Sequence, residues 1–280
     1  MSIAPFNRLT CPLDGAPLCR TESGWCCPQG HTFDVSRQGH VNLLPVQKKR
    51  SLDPGDSKAM IVARRRFLEA GHYQGIAEAV SRRVLAQAPE HDRLAVLDAG
   101  CGEGYYLRAL ADAGVVQHEL ALLGLDISKW AVQAAAGRDK RMQWVVGSNA
   151  ALPVPDHSLD VVLCMFGFPT PAEFARVLKP GGLLLEVEAG PDHLIELREI
   201  IYPTLKAPRE PRQTAEVGFS ADTVETVRYA LSLDSAEQIA DLLVMTPHLY
   251  RASAEGRARA EALTHLDVTV DVQLTSSLRL

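Results

Sequence analysis

Long apolar runs are missing. No stretch of the 280 residues reaches the roughly 20 apolar positions that a membrane-spanning helix needs, so no membrane association is expected. Met1 to Thr10 lack the charged-then-apolar layout of a secretory leader, and the expected compartment is the cytoplasm. Repeats and low-complexity tracts are absent, which argues against a solenoid. Cysteine is scarce beyond residue 27: Cys11, Cys19, Cys26 and Cys27 precede that point, and only Cys101 and Cys164 follow. In a reducing compartment such a cluster reads as metal binding sooner than as disulfides. Excess positive charge is missing too. The net charge of −5, taken alone, argues against a polyanionic partner.

The charge is unevenly spread, however. Residues 1–85 hold 12 Lys and Arg against 7 Asp and Glu, whereas the rest holds 17 against 27. A basic first third on an acidic body suggests contact with phosphate, although Arg64-Arg65-Arg66 would also suit a solvated helix face. The chain is long enough for one α/β domain and a small appendage. Residues 1–45, rich in Cys, Gly and Pro, read as a ribbon of hairpins tied by a metal. Residues 46–88 read as a polar linker up to 58 followed by helices, with a break near Gly71 and a second helix opening at His72-Tyr73. Residues 89–280 form the main domain. Strands are expected at 94–97, 120–125, 143–146, 159–165 and 183–187, with helices at 106–113, 129–136 and 172–178. Alternating Val268, Val270, Val272 and Leu274 suit a late strand. Strands alternating with helices imply a parallel sheet covered on both faces.

The first of these strands runs into Asp98-Ala99-Gly100-Cys101-Gly102-Glu103-Gly104. Glycines at this spacing let backbone approach a ligand closely and adopt positive φ. The turn opens a helix whose first N–H groups are free to bind. The dinucleotide fingerprint would need a third glycine where Tyr105 stands. Asp98 suits a ligand carrying an ammonium group, and Asp126, at the end of the second strand, suits ribose hydroxyls. With Leu152-Pro153-Val154-Pro155-Asp156, Leu159-Asp160-Val161-Val162 and Val177-Leu178-Lys179-Pro180-Gly181-Gly182, these features resemble the S-adenosylmethionine (SAM) motifs of class I methyltransferases. Many members of that class carry an Asp near the adenine. Here Ser148 stands at that position, followed by Asn149, and either can hydrogen-bond adenine.

In the N-terminal ribbon, Cys27 and His31 place two soft ligands four residues apart, with Cys11 upstream. Zinc wants four such ligands in a tetrahedron. The fourth is open between Asp14, Cys19 and Cys26, and a structural rather than catalytic ion is expected.

The stretches 39–46, 53–57, 63–73, 101–106, 190–194 and 245–247 resemble the RlmA-type 23S rRNA guanine-N1 methyltransferases over nearly the whole chain. The resemblance implies a class I SAM-dependent methyltransferase domain, Rossmann-like and α/β, behind a small N-terminal zinc ribbon that helps bind RNA. It implies zinc ligation by Cys11, Cys27 and His31, with the family's second Cys falling on Asp14. It implies SAM contacts by Tyr73, Gly102, Glu103 and His193, joining Asp98, Gly100, Gly104, Asp126, Ser148 and Asn149 from the motif reading. The implied substrate is a guanine in a domain II hairpin of 23S rRNA. Two groups of members modify different guanines there, and stretches 42–46 and 53–57 look more like the Gram-negative group. A homodimer is left open.

Plainer roles compete with these. Tyr73 on a helix is commonly a core aromatic, and His193 could serve a helix start. Phe166 and Phe168, past the fourth strand, are either core or a stacking platform for a base. No proton acceptor for guanine N1 stands out: Asp56, His72 and water are the candidates. Two other functions stay in play, a class I methyltransferase acting on a small molecule and a non-catalytic RNA-binding module with the same fold. The former would need neither ribbon nor basic first third, while the latter would not need Asp98, Asp126 and the glycines intact.

Overall fold

The computed structural model describes residues 2–48, 51, 53–87, 93–113, 119–205, 218–220 and 223–280. The N-terminal part contains β1 (Ile3–Pro5), β2 (Cys19–Arg20), β3 (Gly24–Cys26), β4 (Thr32–Asp34) and β5 (His40–Asn42), then helices α1 (Lys58–Glu69) and α2 (Gln74–Leu85). The main domain runs through β6 (Leu94–Ala99), α3 (Tyr105–Ala113), β7 (Leu120–Asp126), α4 (Lys129–Arg138), β8 (Gln143–Val146), β9 (Leu159–Met165), α5 (Pro171–Val177) and β10 (Leu178–Ala189). It closes with α6 (Ile195–Ile201), β11 (Thr223–Leu233), α7 (Ala236–Met245), α8 (His248–Arg251), α9 (Ala254–Glu261) and β12 (Leu266–Leu278).

One sheet organises the molecule, in the order β11-β12-β10-β9-β6-β7-β8-β5. Strands β10, β9, β6, β7 and β8 run parallel, and β12 inserts antiparallel between β10 and β11. All six residues of β6 are buried, as a strand covered on both faces requires. This is the α/β, class I architecture expected from the strand–helix alternation. Strand β11 and helices α6, α7 and α9 were not foreseen. β11 is an edge strand whose residues are mostly exposed, so its sequence lacks a buried face to give it away.

The ribbon does not stand apart from the sheet. Strand β1 pairs in parallel with the start of β7 (Ile3 opposite Leu120), and β5 pairs in parallel with β8 (Val41 opposite Val145). Only β2, β3 and β4 form a sheet of their own. Phe6, Leu9, Trp25, Val41 and Leu43 share a buried cluster with Leu97, Leu123, Val145 and Leu152, and the Thr10 N–H donates to the Pro153 carbonyl at 3.0 Å. The boundary expected at residue 45 therefore crosses a common core. Within the stretch read as a linker, Asp56 lies on the main domain, where Ser128 Oγ donates to its carbonyl at 2.7 Å.

Trp144 sets the position of the glycine turn. It is 1% exposed, and its indole N–H donates to the Asp139 carbonyl at 2.7 Å. A Cβ on Gly124 of β7 would lie 2.2 Å from this ring, and one on Gly104 2.5 Å from it. Replacing Gly124 by alanine should therefore cost at least the roughly 1–3 kcal/mol of an overpacked core, read as a lower urea midpoint.

Candidate active site

The C-terminal ends of β6 and β7 carry one acid each, at the edge where parallel sheets bind ligands. Between β6 and α3 the chain turns through Gly100, Gly102 and Gly104, at φ of 101°, 56° and 81°. Asp126 braces this turn. Its Oδ2 accepts the Gly102 N–H at 2.9 Å, and its Oδ1 accepts the Ser128 N–H at 2.8 Å. Burial still holds its carboxyl above the usual range, because the two N–H bonds offset only part of the desolvation.

Asp98 has no such help. It is 0% exposed, and neither carboxylate oxygen has a hydrogen-bond partner among the described residues. Burial, with Asp126 nearby as a second cause, pushes its pKa up to about 7. An unpaired buried carboxylate beside a turn of free backbone is suited to a cationic ligand. Glu103 differs. Its side chain is turned inward, with Oε2 accepting from Arg108 at 2.9 Å and Oε1 left without a partner.

Tyr73 and His193, 120 residues apart, meet in the fold: Tyr73 Oη lies 3.2 Å from His193 Nε2. His193 Nδ1 accepts the Asp271 N–H at 3.2 Å, so the neutral ring carries its proton on Nε2 and donates it to Tyr73. The Tyr73 hydroxyl keeps its own proton to give. Burial is the main cause that drives His193 down to about 4 and raises Tyr73. Phe166 stacks on His193 at 6.1 Å between centroids and holds φ at 51°, a left-handed conformation uncommon for a bulky residue. Phe168, two residues on, is 90% exposed. Asn149 Nδ2 donates to the Ala99 carbonyl at 3.2 Å, placing this amide beside the end of β6. The Ser148 hydroxyl accepts the Ala150 N–H at 3.2 Å within its own turn.

The Asp56 carboxylate is ion-paired with Arg64, and His72 packs against Phe67 at 4.6 Å with its pKa lowered by burial. Two of the three consecutive arginines of helix α1 are ion-paired, Arg64 with Asp56 and Arg66 with Asp241. The residues that sequence reasoning missed here are Arg64, as a neighbour of the turn, and Arg108, as the partner of Glu103. Both pairings depend on three-dimensional approach and leave no spacing signal.

In the ribbon, one donor atom from each of Cys11, Asp14, Cys27 and His31 lies within 4.8 Å of the others. His31 Nδ1 is 3.5 Å from Cys11 Sγ, 3.4 Å from Cys27 Sγ and 3.0 Å from Asp14 Oδ2. Two sulfurs, one nitrogen and one oxygen at these separations fit the corners of a tetrahedral zinc site. Cys19 and Cys26 face each other across the β2–β3 pair instead and stand outside the cluster.

Comparison with known proteins places these features. Residues 9–52 match the model of the RlmA N-terminal zinc ribbon, and residues 96–182 match a methyltransferase domain. The chain is 33% identical over 277 residues, 95% of each chain, to the 23S rRNA (guanine(748)-N(1))-methyltransferase of Streptomyces fradiae. The chain belongs to the RlmA-type 23S rRNA guanine-N1 methyltransferases. A Bacillus subtilis protein provisionally named a 23S rRNA (guanine-N1) methyltransferase is 31% identical over 98% of both chains. By contrast, a malonyl-[acyl-carrier protein] O-methyltransferase of Coxiella burnetii aligns with 37% of this chain. Membership in the RlmA-type enzymes thus rests on ribbon and methyltransferase core together.

Asp98 has a measurable signature. Its folded pKa lies above the unfolded value of 3.8, so its cost is absent below that pH and grows as pH rises towards about 7. The shift corresponds to about 4 kcal/mol. Asp98→Asn should therefore raise the melting temperature of the ligand-free protein at pH 8 and leave it unchanged at pH 4, as calorimetry would record.

Proposed function

We propose that this RlmA-type enzyme transfers the methyl group of SAM to N1 of a guanine in a domain II hairpin of 23S rRNA. The observation that carries this reading is the union of a four-donor ribbon with a SAM-type turn in one core, in a chain that is 33% identical to the Streptomyces fradiae enzyme over 95% of its length. Bound SAM supplies an electrophilic methyl sulfonium. Asp98 faces its ammonium group with an unpaired carboxylate, and Asp126 receives its ribose hydroxyls while bracing Gly102. Gly100 and Gly104 shape the turn around them. Ser148 and Asn149 hydrogen-bond the adenine, and Tyr73 and His193 complete the cofactor wall. Glu103, committed to Arg108 through its side chain, contributes through backbone.

Guanine N1 lies on the Watson–Crick edge, so the base must leave its pair to be reached. Phe168, exposed just past the end of β9, offers a face on which the extruded base can stack, and Phe166, two residues before it, packs on His193. The N1 proton passes to water, because the Asp56 carboxylate is paired with Arg64 and burial against Phe67 lowers the basicity of His72. Catalysis then rests on positioning the base and the methyl donor. The protein works in the cytoplasm, where ribosomal RNA is its partner.

Cys11, Asp14, Cys27 and His31 hold a structural zinc in this reading. A zinc held by these residues would fix the hairpins next to Thr10, whose N–H donates to the Pro153 carbonyl at 3.0 Å in the loop that follows Ser148 and Asn149. Asp14→Ala should lose zinc to a chelator that the wild type withstands, whereas Asp14→Cys should retain it, with metal content read by atomic absorption. Activity is tested by transfer from labelled SAM to 23S rRNA from cells lacking this protein, with the modified base identified by mass spectrometry. One N1-methylguanine in a domain II hairpin is expected. SAM binding with no label in free RNA or in ribosomal particles would instead move a small-molecule substrate to the front.

A further inference from the structure

Three stretches of sequence without an assigned role converge on one guanidinium. Arg64 pairs through Nη1 with the Asp56 carboxylate and donates through Nη2 to the Met245 carbonyl at 3.2 Å. Each partner is itself fixed. Helix α1 is fastened to α7 by Arg66, whose Nε donates to Asp241 Oδ2 at 2.8 Å. The segment holding Asp56 lies flat on the start of α4. A Cβ on Gly55, at φ +82°, would come within 2.9 Å of Ile127 and Ser128.

This scaffold sets the Arg64 guanidinium against the glycine turn. A Cβ added to Gly102 would meet Arg64 Nη1 at 3.4 Å. The side chain is 24% exposed, so the charge is largely withdrawn from water but still open on one side. Guanidinium presents five N–H donors, and two partners do not exhaust them. No further hydrogen-bond partner of Arg64 is found among the described residues, although its charge also acts on the nearby Asp126.

The amino-acid end of SAM is a zwitterion. Its ammonium group finds an anion in Asp98. Its carboxylate would be repelled by Asp98 and Asp126 and needs a cation. Arg108, the other arginine near the turn, is spent on the Glu103 carboxylate and carbonyl at 2.9 and 2.6 Å. We infer that Arg64 binds the α-carboxylate of SAM, with Asp56 and the Met245 carbonyl as its positioning groups. This inference rests on the SAM reading above but not on the identity of the RNA.

The test is calorimetric binding of SAM and of decarboxylated SAM to the full chain, without RNA. The wild type should bind SAM roughly 10–100-fold more tightly than the decarboxylated ligand, the usual range for a hydrogen-bonded charged partner. Arg64→Met should lose that factor for SAM and leave decarboxylated SAM unchanged, so that the two ligands become equal. Because this change strands the Asp56 charge, the double variant Asp56→Asn with Arg64→Met is measured alongside and should show the same equality. Equal weakening of both ligands would make Arg64 a structural residue and overturn the inference, as would a wild type that does not discriminate between them. If this pattern holds while 23S rRNA stays unlabelled, the substrate assignment falls and the role of Arg64 stands.

Discussion

At the end of the central strand, Asp98 is a buried carboxylate to which no group among the described residues donates a hydrogen bond. Such a group is costly, and the fold accepts that cost at the edge where the glycine turn leaves backbone open. Its neighbours are arranged so that they do not relieve it. Asp126 is occupied with the N–H groups of Gly102 and Ser128, and Glu103 turns away to Arg108. The cation is left for the ligand to bring. Strain at Phe166 and the desolvated Tyr73–His193 pair belong to the same economy, in which local stability is given up where binding occurs.

The N-terminal third completes this edge. Strands β1 and β5 extend the sheet beyond β7 and β8, the ribbon docks on Pro153, and the segment around Asp56 lies over the start of α4. Helix α1 then carries Arg64 to the turn. The ribbon and the strand that leads into the glycine turn therefore share one buried cluster, and the Thr10 N–H joins the ribbon to the loop that follows β8. The charge excess of this region divides in the same way. Arg66 is tied to Asp241 and Arg64 is held by Asp56 against the glycine turn, whereas Lys58 lies over the Trp130 ring at 3.8 Å from its centroid.

Much of this was legible in the chain itself. The apolar runs ending in Asp98 and Asp126 announce parallel strands with acids at their ligand-binding ends, since strands buried on both faces need unbroken apolar sequence. The spacing of Cys27 and His31 announces a metal pair. Choosing Asp14 over Cys19 and Cys26 required the fold, because only the hairpin reveals that the latter two face each other across strands. Tyr73 and His193 could be linked only through resemblance, as no local pattern connects residues 120 apart. Arg64 was misread as surface or phosphate-binding because its partners come from a turn and from the last residue of a helix late in the chain. The left-handed Phe166 and the exposed edge strand β11 leave no mark in composition or periodicity.

If the empty charge of Asp98 is the constraint around which the site is built, binding a cationic ligand must ionise it. Titrating SAM into the protein at pH 6, in buffers of different ionisation enthalpy, measures that directly. Release of about one proton per SAM bound is expected, so that the observed heat changes with the buffer, with no such change in Asp98→Asn. A heat independent of buffer in the wild type would mean that Asp98 is already charged and compensated, and would contradict the account.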